Sequence, residues 1–242
     1  MNEISRVERI LIKNAPKVGT PTYTFSVEID EKLCTGCAKC AIECPSRIIE
    51  MIERESTGIQ KSACASECLA DNGARDAIKA INDGGTYEDA WNIITKTNPI
   101  PAITGRICPH PCEDKCNRAS LDEAVNVHGF ERFVGDYALE HNLKFKKPAN
   151  QNKGKVAVVG AGPAGVGAAY QLALLGYKVT VFEELDKAGG MLRYGIPEYR
   201  LPRDIIDKEI KRIEDLGIEF KYNVKLGKDI KLENLKKDYN AV

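Results

Sequence analysis

The N-terminal segment of this sequence has no long hydrophobic run: MNEISRVERILIKN interleaves charges with apolar residues and never builds the unbroken stretch of a signal peptide or membrane span. A charge surplus is missing too, since Lys plus Arg and Asp plus Glu each number 35. No global field therefore favours nucleic acid, an anionic membrane surface or a strongly charged substrate. Cysteine is absent after Cys116, although nine lie between Cys34 and that position. An odd number cannot pair completely, and a chain without an export signal sits where thiols stay reduced, so these cysteines read as metal ligands rather than a disulfide framework. The expectation is a cytoplasmic protein with neither nucleic acid nor membrane as partner. At 242 residues and 43% hydrophobic content, two or three compact modules fit.

Residues 22 to 30, TYTFSVEID, have the aromatic and β-branched content of a strand, and RIIEMI, 47 to 52, predicts a second. Short helices follow: ARDAIKAIN over 74 to 82, then TYEDAWNIITKT over 86 to 97, with Thr86 as its cap and Pro99 and Pro101 as its end. The polar, basic stretch from 144 to 154 predicts a linker. KVAVVG at 155 to 160, a helix over about 163 to 175 and KVTVFE at 178 to 183 make a βαβ unit. DIIDKEIKRIEDLG, 204 to 217, predicts a further helix, IEFKYN another strand, and YNAV at the end the opening of one more.

Cys34, Cys37, Cys40 and Cys44 precede Pro45 in the C-x2-C-x2-C-x3-C-P run of bacterial-type ferredoxins. Thiolates at such short intervals wrap one face of a 4Fe-4S cubane, whereas structural zinc draws paired ligands from separated loops. Gly36 and Ala38 leave room for backbone amides beside sulfur. In two-cluster ferredoxins the cysteine before proline serves the other cluster. No second complete run exists here, so Cys44 is an iron ligand whose cluster stays open. With its flanking strands, the segment resembles half of a ferredoxin.

Cys64 and Cys68, then Cys108, Cys112 and Cys116 in GRICPHPCEDKC, with DEAVNVHGFERF behind them, form a second group. This stretch resembles the N-terminal iron-sulfur domain shared by glutamate synthase small subunits, dihydropyrimidine dehydrogenase and related NAD(P)H-dependent oxidoreductases, and the resemblance runs from about residue 60 to the end. It implies two 4Fe-4S clusters between helices, with Cys68, Cys108, Cys112 and Glu131 holding one while Cys64 and Cys116 belong to the other. The cysteine pair usual just upstream of Cys64 is missing, since ERESTGIQKSA contains none, which would leave the first run to donate ligands. Two clusters, or two with a partly occupied third, both remain open. Glu131 has an alternative as a solvated helix carboxylate, Arg106 is either a charge near a cluster or a surface arginine, and His110, between two prolines, reads as a loop residue.

Gly160, Gly162 and Gly165 make G-x-G-x-x-G between a strand and a helix, and Glu183 ends the next strand. The glycines allow a tight turn and close approach of a pyrophosphate; the helix N-terminus offers free amides and a positive dipole end, and Glu183 can accept from a ribose. FAD and NAD present the same adenosine diphosphate to such a turn. The flanking GPAGVGAAYQLALLGYKVTVFE and AGGMLRYGIPEYRLP are similar to the FAD half-motif of the same family. That similarity places flavin contacts on Gly160, Gly162, Pro163, Ala164, Gly165, Val166, Glu183, Gly189, Gly190, Met191 and Arg200, with Leu226 as a backbone candidate. For Arg200 the alternative is a surface ion pair.

The expected fold class is mixed: a ferredoxin-like α+β cluster module over 1 to 58, a helical iron-sulfur domain over 59 to 148, and the first part of an α/β Rossmann FAD-binding domain over 149 to 242. The resemblance implies an NAD(P)H-dependent oxidoreductase passing electrons between FAD and 4Fe-4S clusters, with no catalytic acid, base or nucleophile of its own. No second glycine fingerprint follows. NAD(P)H and the walls of the flavin site are therefore expected from a downstream domain or another redox subunit, the sheet being cut short at Val242. The alternative is a non-catalytic electron-transfer subunit or scaffold. Pyrimidine reduction is disfavoured, because in the resembling enzyme it belongs to a separate domain.

Overall fold

The computed structural model describes residues 62–242 and the backbone of Ile10–Ile12 and Ile49–Met51. Cys34, Cys37, Cys40 and Cys44 and the strand predicted over 22 to 30 lie outside the described residues. Strands β1 (Ile10–Ile12) and β2 (Ile49–Met51) pair antiparallel with Ile12 opposite Ile49. The second is the core of the RIIEMI prediction; the first occupies a segment to which the sequence assigned no element.

A run of short helices follows. Helix α1 (Ala63–Glu67) begins at Ser62, whose hydroxyl accepts from the Ala65 N–H. Helix α2 (Ala74–Asn82) fills the predicted span and buries Ala74 and Ala77. Helix α3 (Tyr87–Ile94) opens with a capping box: the Asp89 N–H donates to Thr86 Oγ1 at 3.1 Å and the Thr86 N–H to Asp89 Oδ2 at 2.8 Å. Those bonds hold the Asp89 carboxyl below its ordinary range. Its end differs from expectation. The helix stops at Thr95, whose hydroxyl turns back onto the Trp91 carbonyl, and Pro101 opens the next helix rather than closing this one.

Helix α4 (Pro101–Ile107), helix α5 (Pro111–Asp114) and helix α6 (Val127–Glu140) complete this part. Helices α4 and α6 cross with their backbones nearly touching. A Cβ at Gly135 would lie 2.2 Å from the Ala102 nitrogen, and one at Gly105 2.4 Å from that of Arg132, so only glycine permits the crossing. This contact brings Cys108, the residue after α4, and Glu131, on α6, to one cavity.

The C-terminal part is built on parallel strands β3 (Lys155–Val159), β4 (Lys178–Phe182) and β5 (Glu219–Lys221), in that order across the sheet. Helix α7 (Pro163–Leu174) links β3 to β4. Helix α8 (Met191–Tyr194) and helix α9 (Arg203–Glu214) lie between β4 and β5, and helix α10 (Leu232–Asp238) follows. Beyond α10, Ala241 makes a parallel bridge to Val156 on the free edge of β3. The architecture is mixed α/β with a small parallel sheet.

One hydrophobic core runs through both parts, from Trp91, Ile94, Ile103 and Val134 to Val166, Tyr170, Ile206 and Ile213. Phe145, inside the stretch predicted as a linker, is buried and stacks on Trp91 at 5.0 Å between ring centroids. Polar ties reinforce the seam. Tyr170 donates to the Thr95 carbonyl, Gln171 to that of Lys96, and the Ala102 N–H donates to Glu209 Oε1 at 3.0 Å. Among the described residues no helix is long and apolar enough to cross a membrane.

Candidate cluster pocket and dinucleotide cleft

Short helices aim five cysteines at one region. Cys64 lies in α1 and Cys68 caps its end, Cys108 caps α4, Cys112 lies in α5 and Cys116 follows it. Cys64 and Cys112 join Ala74, Val125 and Val127 in a small apolar cluster. A cavity of about 180 Å³ is lined by Cys68, Cys108, Cys112 and Glu131, together with Asn98 and His110. Burial pushes the Cys112 thiol up to about 11, helped by the charges of Cys68, Glu113, Cys108 and Cys64; burial also raises Cys108. Thiolates gathered this way are disfavoured unless a metal cation compensates them.

The surroundings suit sulfur ligation. The His110 N–H donates to Cys108 Sγ and the Val125 N–H to Cys116 Sγ, each at 3.4 Å, and the Ser62 hydroxyl lies 3.1 Å from Cys64 Sγ. Among the described residues no three His, Cys, Asp or Glu side chains close on a single ion. The spread donor set is one a multi-iron cluster can span.

The reading of Glu131 as a solvated carboxylate is corrected. Glu131 is 3% exposed, and its Oε1 accepts from Asn98 Nδ2 and Thr104 Oγ1, both at 2.5 Å. Burial raises its carboxyl above the ordinary range against these hydrogen bonds. His110 is likewise no free loop residue: it caps α5 in the left-handed region, is buried, and faces Glu131 Oε2 with Nε2 at 3.8 Å. Arg106 is not a surface arginine, its side chain being 10% exposed. Its guanidinium is engaged bidentately by Asp136 at 2.7 and 2.9 Å and donates to the Ala102 carbonyl, so its charge is spent on the α4–α6 crossing.

The second region is a cleft of about 410 Å³ at the carboxyl ends of β3 and β4, lined by Gly160, Glu183, Gly190, Met191, Tyr194 and Leu226, among others. Such a position is where parallel sheets take nucleotides. Gly160 turns the chain with φ +96°, and a Cβ at Gly165 would fall 1.9 Å from the Gly160 carbonyl oxygen, so helix and turn fit only without it. Gly162, Pro163, Ala164 and Val166 make the cap and first turn of α7; Val166 is buried, and its N–H donates to the Gly162 carbonyl at 2.9 Å. The Gly189 N–H donates to the Ala161 carbonyl at 2.8 Å, which brings the double glycine back onto the first turn.

Glu183, the expected ribose acceptor, is engaged by the backbone. Its Oε2 accepts from the Ala161 N–H at 2.6 Å and its Oε1 from the Leu185 N–H at 3.0 Å, pinning the glycine turn to the end of β4. Arg200 is exposed in the turn that starts at Pro197 and is not brought to the cleft. Two arginines missed by sequence reasoning organise this segment: Arg193 holds the Ala188 carbonyl and Asp207, and Arg203 donates to the carbonyls of Leu192 and Ile196. An arginine inside the apolar turn MLRY is a signal of such pairing. Tyr194, which donates to Asp186, and the Lys225–Glu184 ion pair at 2.8 Å also border the cleft.

Three family models match the chain: the 4Fe-4S binding domain over residues 27–50, dihydropyrimidine dehydrogenase domain II, 4Fe-4S cluster, over 56–143, and the NAD(P)-binding Rossmann-like domain over 158–203. In separate segments the chain is thus similar to the iron-sulfur and dinucleotide-binding parts of FAD and iron-sulfur oxidoreductases. Relatives include the NADP(+)-dependent formate dehydrogenase subunit beta of Moorella thermoacetica, 42% identical over 74% of this chain and 28% of that protein. The NADPH-Fe(3+) oxidoreductase subunit beta of Geobacter sulfurreducens is 38% identical over 87% of this chain and 34% of its own length. The glutamate synthase [NADPH] small chain of Bacillus subtilis is 42% identical over 65% and 32% respectively. The chain thus spans about a third of the relatives it matches. Two of the matching models are 4Fe-4S domains and the third is a dinucleotide-binding one, in keeping with 4Fe-4S clusters and FAD as cofactors.

Proposed function

We propose that this chain is the iron-sulfur and flavin segment of an NAD(P)H-dependent oxidoreductase and passes electrons between FAD and 4Fe-4S clusters. The observation that carries this reading is that one hydrophobic core packs the helices bordering the cysteine pocket, through Ile103 and Val134, against the sheet that carries the glycine-turn cleft, which would hold two redox sites in one frame. All three relatives described above are named for NADP(+) or NADPH.

Cys68, Cys108, Cys112 and Glu131 would hold one cluster, with Glu131 offering Oε2, the oxygen that Asn98 and Thr104 do not bond. Cys64 and Cys116 would serve the other cluster, with Cys34, Cys37, Cys40 and Cys44 supplying ligands as a ferredoxin-like module. The division into 1 to 58, 59 to 148 and 149 to 242 follows from that assignment. In the cleft, the N-terminal amides of α7 would meet the pyrophosphate, Glu183 the ribose, and the Leu226 backbone the adenine end, with Gly189, Gly190 and Met191 along the nucleotide; Arg200, exposed after α8, would meet it only by swinging in from solvent. Bound FAD supplies hydride acceptance and single-electron release, the conversion that clusters require. The partners would be further redox subunits or a downstream domain carrying the NAD(P)H site, in the cytoplasm.

The test is anaerobic isolation followed by reductive titration. Iron and sulfide near eight each, from about two cubanes, and flavin bleaching together with the appearance of cluster signals are expected. Clusters without flavin would make the chain an electron carrier or scaffold, and stoichiometric zinc with little iron would overturn the reading.

A further inference from the structure

We propose that His110 is a positioning residue for Glu131, holding its carboxylate at the cysteine pocket and tuning the potential of the cluster bound there. The inference rests on the cluster reading above and assigns a role to a residue that lies between two candidate ligands, Cys108 and Cys112.

The imidazole is held tightly. His110 is 5% exposed, sits at φ 55°, and stacks on His128 with ring centroids 4.5 Å apart and planes 22° from parallel. Its Nε2 is buried without a hydrogen-bond partner, and the Glu131 carboxylate stands 3.8 Å from it. A buried ring nitrogen left unpaired costs about 1–3 kcal/mol, so this geometry persists only where something else compensates it. The asymmetry of Glu131 shows what that is. Its Oε1 accepts from Asn98 and Thr104, Asn72 also bonds the carboxylate, and Oε2 is the oxygen turned toward His110. A shift of less than ~1 Å converts the contact into an N–H···O bond.

The same residue also reaches sulfur, because its backbone N–H donates to Cys108 Sγ at 3.4 Å. His110 therefore touches a thiolate through its main chain and a carboxylate through its ring. A donor on a ligating carboxylate fixes its orientation and withdraws negative charge, which favours the reduced, more anionic cluster. His110 acts through Glu131 and needs no direct bond to iron.

The test compares His110→Phe and His110→Gln in the full chain, each loaded anaerobically with iron and sulfide. Both variants carry the same left-handed backbone penalty, so their difference reports the side-chain nitrogen. Phenylalanine keeps the stack on His128 and removes the donor; glutamine returns an amide nitrogen near the Nε2 position. Expected for His110→Phe are a lower midpoint potential, altered EPR g-values and iron loss to a chelator about tenfold faster. His110→Gln should move all three back toward the parent protein. Identical potentials and iron-loss rates in His110→Phe and the parent, or a His110→Gln indistinguishable from His110→Phe, would overturn the proposal. Glu131→Ala separates the two layers: if it leaves iron content and EPR unchanged, the ligand reading of Glu131 fails and takes this role with it.

Discussion

Tyr170 on α7 donates its hydroxyl to the carbonyl oxygen of Thr95, at 2.7 Å, across the seam between the cysteine-bearing helices and the parallel sheet. Both residues are buried, and burial raises the phenol to about 12, so it stays a donor throughout the working pH range. Removing the hydroxyl in Tyr170→Phe orphans the Thr95 carbonyl while keeping the ring against Phe145. The expected cost is about 1–2 kcal/mol in chemical denaturation, with the iron content unchanged.

Glu209 carries a pH signature. It is wholly buried on α9 and raised from 4.5 to about 7, mainly by burial, against the charges of Arg212 and Arg106, the Ala102 N–H and, in the opposite sense, Asp136. Between those two values the folded state holds a proton that the unfolded chain has lost, so its contribution makes stability fall as pH rises through the window. Glu209→Gln should flatten that part of the profile. A denaturation series across pH 5 to 8, compared with the parent, checks it.

The glycine turn offers a paired substitution. A Cβ at Gly165 meets the Gly160 carbonyl oxygen at 1.9 Å, whereas one at Gly167, on the same helix, meets nothing within 4 Å. Gly165→Ala should weaken FAD binding by more than about tenfold, or ~1.4 kcal/mol, because the turn must move. Gly167→Ala should bind normally and gain up to about 1 kcal/mol in stability from helix propensity. Flavin fluorescence titration and a melting curve on each variant decide between them.

Cys112→Ser tests the cysteine pocket. The thiol lies in α5 beside Ala74 and Val127, away from the core that carries the sheet. Iron should fall by about four per chain, one 4Fe-4S cluster, while far-UV circular dichroism stays near that of the parent. Loss of all secondary structure would show that the cluster is needed for the whole frame to fold.

Much of this protein is legible from its sequence because local rules govern it. Period, turn glycine and capping chemistry place α2, α3, β3, α7 and β4 within a few residues of where they stand, and the spacing Gly160, Gly162, Gly165 announces its own turn. Cysteine spacing likewise groups Cys108 with Cys112, since the short turn from the end of α4 into α5 keeps them on one cavity.

What only the tertiary structure decided depends on contacts distant in the chain. That Glu131 is buried rather than solvated follows from the Gly105–Gly135 crossing, which presses α6 onto α4 and brings Asn98 and Thr104 within reach of its carboxylate. His110 looks like a loop residue between prolines until that carboxylate faces it. Phe145 reads as part of a linker until Trp91 and Tyr170 close over it. Arg193 and Arg203 take the structural work around the double-glycine turn, while the arginine that the motif singled out, Arg200, stays in solvent. Residue type and spacing specify which chemistry is available; burial, which no local pattern encodes, specifies which of those groups meet and in what charge state.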